Sequence, residues 1–211
     1  MPPRLPRRPK LPLPLLARDD TAQLDVGTVL WRVYFAGGPF GTSWAAFRSY
    51  GPVLNGRFDH HRLPSTYDPD RRVMYAGVRI PGCLAEAYSR TRQIDRWTDD
   101  PYLVAFRLAK PVTLLDLRGS WPTRAGGSQA ISTGPHSVGQ AWSRAIYDSY
   151  ADVDGLQYVA SMAGSPDTNV ALYERGEGAL PPYPLLNIPL SHRGLDTALR
   201  HAASRFGYDL R

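Results

Sequence analysis

The sequence predicts an α+β fold. Strand-like and helix-like stretches are mixed along the chain without a repeating strand–helix–strand rhythm, and no internal repeat is visible. Of 211 residues, 43% are hydrophobic and 21% charged, ordinary globular usage that supports one packed core and excludes a fully disordered or fibrous chain.

The first strand is predicted over 28–35, Thr-Val-Leu-Trp-Arg-Val-Tyr-Phe. Val29, Trp31, Val33 and Phe35 alternate onto one face, and Leu30, Arg32 and Tyr34 onto the other. Arg32 therefore places a cation inside an apolar element, where it needs a partner or a ligand. Gly37, Gly38, Pro39 and Gly41 end this strand, and a loop-like stretch runs to about Pro69. A strand follows over 73–78. Pro81-Gly82 reads as a turn before a helix from about Leu84 to Arg96, with Leu84, Ala87, Tyr88 and Ile94 on one face. Two strands, 102–108 and 112–117, flank Lys110-Pro111. A Gly/Ser/Pro-rich loop spans 119–135, and Val138, Ala141, Trp142, Ala145 and Ile146 give helical spacing over about 138–150. Short strands at 156–160 and 169–174 bracket a polar loop. A proline-rich passage, 181–189, leads to a last helix carrying Leu195, Leu199, Ala202 and Phe206.

The net charge of +6 suggests nucleic acid until its location is considered. Arg4, Arg7, Arg8, Lys10 and Arg18 put +5 into residues 1–18, which contain no acid, leaving about +1 for the rest. Six prolines in the same segment oppose helix and favour an extended tail. The expected organisation is a Pro/Arg-rich flexible tail over 1–20 and one domain over 21–211. The tail reads either as a solvated terminus or as a docking arm. Its prolines also break the apolar run that a secretory signal needs. No stretch is long and apolar enough to span a membrane, and a single cysteine, Cys83, fits a reducing, cytoplasmic setting. No helix-turn-helix pattern is present, so direct nucleic-acid binding is not expected.

Familiar catalytic motifs are absent: no phosphate-binding P-loop, no Gly-x-Gly-x-x-Gly entering a helix, no His-Glu-x-x-His. His60-His61 has no third ligand at short spacing, so no metal site is expected. Cys83 has no local base. What remains is a set of polar residues in places a core would fill with apolar ones: Arg57 after Gly56, Tyr75 inside a strand, Glu86 early in a helix, and Ser161 at a strand end. Taken singly, each also has a structural reading, as a surface ion pair, a core tyrosine, a favourable charge at a helix N-terminus and a turn residue.

Taken in order, Gly56-Arg57-Phe58, Val73-Met74-Tyr75-Ala76, Leu84-Ala85-Glu86, Asp154-Gly155-Leu156-x-Tyr158-x-x-Ser161 and Asn169-Val170-Ala171-Leu172-Tyr173-Glu174 resemble the RES domain, named for its Arg, Glu and Ser. The resemblance covers about residues 27–207. It implies an α+β fold similar to ADP-ribosyltransferases, with small mixed or antiparallel sheets and flanking helices around an NAD cleft. The implied activity is cleavage of NAD+ at the nicotinamide–ribose bond by hydrolysis or phosphorolysis, as the toxin of a toxin–antitoxin module with an Xre-type antitoxin. The alternatives are a protein ADP-ribosyltransferase and a non-enzymatic nucleotide- or partner-binding module; a homo-oligomer is left open. Glu86, Arg57 and Ser161 become the catalytic candidates, and Arg32, Arg57, Tyr75 and Ser161 the NAD+-binding ones, with inorganic phosphate as a conceivable co-substrate.

The chemistry suits these residue types. Breaking the nicotinamide–ribose bond develops oxocarbenium character, which a carboxylate stabilises. Guanidinium forks match a pyrophosphate, and tyrosine offers a stacking face. Asp59 departs from the family pattern, where a neutral residue is usual, and the 59–72 segment is longer than usual; a carboxylate there either neutralises Arg57 or helps orient a substrate.

Overall fold

The computed structural model describes residues 8–160, 162 and 167–211. Among these residues twelve strands and five α-helices follow in chain order: β1 (Thr21–Leu24), β2 (Val29–Phe35), β3 (Tyr50–Gly51), β4 (Thr66–Tyr67), β5 (Val73–Gly77), α1 (Ile80–Ala87), β6 (Gln93–Ile94), β7 (Pro101–Arg107), β8 (Val112–Asp116), α2 (Trp121–Arg124), α3 (Ala130–Thr133), α4 (His136–Ser149), β9 (Gly155–Val159), β10 (Thr168–Tyr173), β11 (Leu186–Pro189), α5 (Asp196–Phe206) and β12 (Asp209–Leu210). Eight strands form one sheet in the order β1-β8-β9-β10-β5-β2-β7-β11. Every pairing in it is antiparallel except β8 with β9. This is an α+β fold.

The alternation expected for 28–35 sets the layers. Leu30 packs with Met74, Phe106, Val170 and Leu172 on one face of the sheet. Trp31, Val33 and Phe35 face the opposite side, against Leu84 and Tyr88 of the α1 end and Leu199 and Ala202 of α5. Under the other half of the sheet, α4 buries Trp142 and Ile146 against Leu156, Ala171 and Tyr173, following its predicted spacing. Leu13 joins that cluster, the Tyr150 hydroxyl donates to the Pro14 carbonyl at 2.6 Å, and Asp20 pairs with Arg124. The proline-rich segment thus lies on the core from Leu13 onward.

Two expectations are corrected. The helix expected over 84–96 begins at Ile80 and ends at Ala87, which puts Glu86 in its last turn and not its first, so the reading of Glu86 as a favourable N-terminal charge does not hold. Pro81 sits in its first turn, where a missing N–H costs nothing. The helix stops because the following segment is claimed elsewhere: the Tyr88 hydroxyl bonds the Asp95 carbonyl at 2.7 Å, Arg92 takes a left-handed φ of 51°, and Gln93–Ile94 pair in parallel with β12. Ile94 is therefore a strand residue. The 119–135 segment, expected as loop, contains α2 and α3, whose Trp121 and Ile131 are drawn into the core beneath α4.

A buried polar network holds β10 to the 58–62 segment. His60 and His61 are fully buried. His60 Nε2 lies 3.0 Å from Glu174 Oε2; a carboxylate needs a donor, so this nitrogen carries the proton. Burial pushes the pKa of both histidines down. For Glu174, burial raises the carboxyl pKa, but hydrogen bonds from His60 and Tyr147 outweigh it and bring it to about 2. Both depressions have the same sign in their effect on stability. Below about pH 6.5 the unfolded histidines bind protons that the native ones do not. Glu174 adds stability above its unfolded value of 4.5, and this is lost as pH falls toward 2. Thermal unfolding should therefore show a melting temperature that declines below pH 6.5 and falls more steeply below 4.5. The Glu174 contribution is on the order of 2 kcal/mol after allowance for its partial exposure. A melting temperature constant from pH 7 to 4 would contradict this assignment.

Candidate active site

The sheet comes apart where the site lies. Between β5 and β2 the register contains one partner pair, Trp31 with Gly77, whereas β2 pairs with β7 along its whole length. A cavity of about 330 Å³ opens at this splay, lined by Arg32 and Val33 from β2, Tyr75 and Ala76 from β5, and Glu86 from α1. Its volume is at the lower end of the range for small-molecule sites.

Glycines set how closely α1 approaches the sheet. A Cβ at Gly77 would lie 2.5 Å from Asn169 Oδ1 and 2.7 Å from Cys83 Sγ. One at Gly82 would lie 3.2 Å from the same Asn169 oxygen. With no side chains there, α1 sits directly on β5 and β10. Cys83 and Glu86, three residues apart and hence on one helix face, both reach the cavity. Cys83 is inert: it is buried, its thiol lies 3.1 Å from the Trp31 carbonyl oxygen, and burial pushes its pKa up to about 12.

Arg57 comes from the 53–58 segment, which α4 holds by its backbone. Gln140 Nε2 donates to the carbonyls of Val53 and Gly56 at 2.8 and 2.9 Å, Ser143 Oγ to that of Phe58 at 2.7 Å, and His136 Nδ1 lies 2.7 Å from the Leu54 oxygen. Gly139 completes the fit, since a Cβ there would meet the Arg57 carbonyl oxygen at 2.7 Å. The Arg57 guanidinium donates to the Gly134 carbonyl. Burial lowers its pKa and the nearby Glu86 charge opposes that shift, so the two groups feel each other across the cavity.

Arg32 finds the partners its position demanded. Its Nη1 donates to the Trp44 and Ala46 carbonyls at 2.9 and 2.8 Å, and burial lowers its pKa to about 10, leaving it a cation at neutral pH. Tyr75 is fixed through its hydroxyl, which donates to Asp59 Oδ1 at 2.8 Å and accepts from the Phe58 amide at 2.9 Å. Asp59 is fully buried and pairs with Arg48 at 2.6 Å. Its role is to hold Tyr75, and its ion-pair partner is Arg48.

Arg32, Arg57, Tyr75 and Glu86 thus share one cavity. Ser161 lies outside the described residues; its neighbour Met162 donates its amide to Glu86 Oε1 at 3.3 Å. Also lining the site are Asn55, Arg90 and His136, which no sequence motif marks, and Tyr158 and Asn169, which stand in the quoted motifs without an assigned role. Tyr158 is buried on the Phe58 ring, with centroids 4.6 Å apart. Burial first, then the Glu86 charge, raises its phenol pKa well above the usual value, so it remains protonated. Asn169 is buried and its Oδ1 has no hydrogen-bond partner; a polar residue opening an otherwise apolar strand was the available signal. Among the described residues Glu86 is the sole carboxylate lining the cavity, which Arg32, Arg57 and Arg90 also line. No cluster of three or more His, Cys, Asp and Glu suited to a metal occurs among the described residues, and no helix among them is long and apolar enough to cross a membrane.

The profile of the RES domain matches residues 29–191, and the chain belongs to that family. Among solved structures it is similar to a chain of the MbcT–MbcA toxin–antitoxin complex of M. tuberculosis, with a TM-score of 0.55 and 14% identity, covering 85% of this chain and 92% of that one. That likeness is one of fold. Comparison with curated protein sequences finds no match.

Proposed function

We propose that the protein cleaves NAD+ at the bond between nicotinamide and ribose. The observation that carries this reading is Glu86, the single carboxylate that lines the cavity among the described residues, in company with three guanidiniums. Nicotinamide leaves with the bonding electron pair and becomes neutral, so the departing group needs no proton. The positive charge developing on the ribose C1′ and ring oxygen is stabilised by the Glu86 carboxylate. Water then attacks C1′ and loses a proton, giving ADP-ribose, nicotinamide and H+; inorganic phosphate in its place gives ADP-ribose 1″-phosphate. Arg57 and Arg32 supply cations for the dinucleotide phosphates, the Tyr75 ring a stacking face, and Ser161, by family resemblance, a hydrogen bond to the nicotinamide ribose.

The family and the fold it shares with a protein from a toxin–antitoxin complex support a role as the toxin of such a pair, acting on cytoplasmic NAD+ and restrained by an Xre-type antitoxin. Incubating the purified chain with NAD+, with and without phosphate, and identifying the products tests the reading. ADP-ribose or its 1″-phosphate supports it. Label transferred to protein would make the chain an ADP-ribosyltransferase, and unchanged NAD+ would reduce it to a binding module.

A further inference from the structure

A second depression of about 210 Å³ adjoins the first, and Ala87 and Arg90, just beyond the C-terminal end of α1, line both. Its wall includes the Phe35 ring, with Tyr88 packed edge-on at 6.2 Å between centroids, and the polar side chains of Thr91 and Gln93. Two carboxylates reach it, and they differ. Asp95 is occupied by the Trp97 and Thr98 amides at 2.8 and 3.0 Å and by the Thr98 hydroxyl at 2.8 Å. Asp99 is exposed and its carboxylate makes no hydrogen bond or ion pair among the described residues. It is nonetheless held in place: its φ is 62°, its carbonyl accepts the Gly37 amide at 3.0 Å, and Gly38 leaves room beside it, since a Cβ there would lie 2.4 Å from Asp99 Oδ1.

Arg90 stands apart from the other two cavity arginines. Arg32 and Arg57 donate to backbone carbonyls, whereas among the described residues the one hydrogen bond of the exposed Arg90 guanidinium is at 3.5 Å to the neutral Asn55 Oδ1. Among the described residues Arg90 forms no ion pair, and a cation that lines both depressions matches the layout of a dinucleotide, in which two nucleoside halves are joined by a pyrophosphate.

We propose that the second depression is the adenosine subsite, that Arg90 binds the pyrophosphate between the halves, and that Asp99 accepts the hydroxyls of the adenosine ribose. This deepens the NAD+ reading and rests on it for the identity of the ligand. A carboxylate at the ribose is satisfied by a free 2′-hydroxyl and repels a 2′-phosphate, so the site selects NAD+ over NADP+.

Binding of ADP-ribose to the full chain, measured by calorimetry, tests this without requiring turnover. Arg90→Gln should weaken ADP-ribose binding about tenfold, as expected for loss of a charge-assisted hydrogen bond. The wild type should bind 2′-phospho-ADP-ribose at least about tenfold more weakly than ADP-ribose, and Asp99→Asn should narrow that gap; asparagine tolerates the left-handed backbone, so the variant keeps the loop. ADP-ribose binding that is absent from the wild type or unchanged in Arg90→Gln overturns the subsite, even if NAD+ is cleaved. Equal binding of the 2′-phosphorylated ligand by the wild type overturns the role of Asp99. Arg90-dependent binding with no NAD+ cleavage supports the subsite and removes the cleavage reading instead.

Discussion

Glu86→Gln should lower NAD+ turnover by roughly 10²–10³-fold while leaving the melting temperature within a few degrees of the parent. The substitution keeps the size of the side chain and an oxygen able to accept the Met162 amide, which now lies 3.3 Å from Oε1. It removes the only negative charge on the cavity wall among the described residues. The loss belongs in kcat, because the developing positive charge on the ribose exists only in the transition state, whereas the ground-state dinucleotide is held through its phosphates by cations that the substitution does not touch. A lowered KM would be consistent with this, since Arg57 would no longer be partly neutralised by Glu86, whose charge opposes the downward shift of its pKa. Full turnover in Glu86→Gln would mean that another group bears the oxocarbenium charge and that the site is misassigned.

The elements easiest to read from sequence were those whose periodicity matches a face buried by local packing. β2 alternates because Leu30 and Trp31 meet different cores, and α4 shows its helical spacing because one stripe meets the sheet. The end of α1 was not legible. Residues 88–96 have no helix breaker, and what stops the helix is tertiary: the bond from Tyr88 to Asp95 and the pairing of β6 with a strand more than a hundred residues later. The same division runs through the site. Arg57, Tyr75 and Glu86 were found through residues close to them in order along the chain. Arg90 and His136 reach the cavity from a helix end and a helix start, and nothing in their immediate neighbours marks them, whereas Asn169 was marked only as a polar residue at the start of an apolar strand. Asp59 stood out as an unusual acid, but its partner, Arg48, lies eleven residues upstream on the far side of a glycine-containing loop, a pairing that only the folded chain reveals.

That pairing carries the largest effect on stability. Asp59→Ala should destabilise the protein by about 3 kcal/mol, the lower end of the range for removing one member of a buried ion pair, since Asp59 is buried while the Arg48 side chain is one-third exposed. The carboxylate accepts three hydrogen bonds, from Arg48 at 2.6 Å, the Val53 amide at 2.8 Å and the Tyr75 hydroxyl at 2.8 Å. Its loss leaves the Arg48 cation without its anion and two donors to find other acceptors. Gly56 shows how tightly the group is enclosed: a Cβ there would fall 2.1 Å from Asp59 Oδ1, so Gly56→Ala must push the carboxylate out of its place and should destabilise in the same direction. Asp59→Asn is the informative control. It can retain one acceptor oxygen for the Val53 amide or the Tyr75 hydroxyl while abolishing the charge, and should cost less than the alanine substitution in urea unfolding. Because Tyr75 also accepts the Phe58 amide, the residue after Arg57, loosening Asp59 frees the Arg-bearing segment as well as the tyrosine ring. The folded fraction of Asp59→Asn should therefore bind ADP-ribose more weakly than the parent. Parental stability in Asp59→Ala would show that the 53–59 segment is held by its α4 contacts alone, through Gln140 and Ser143.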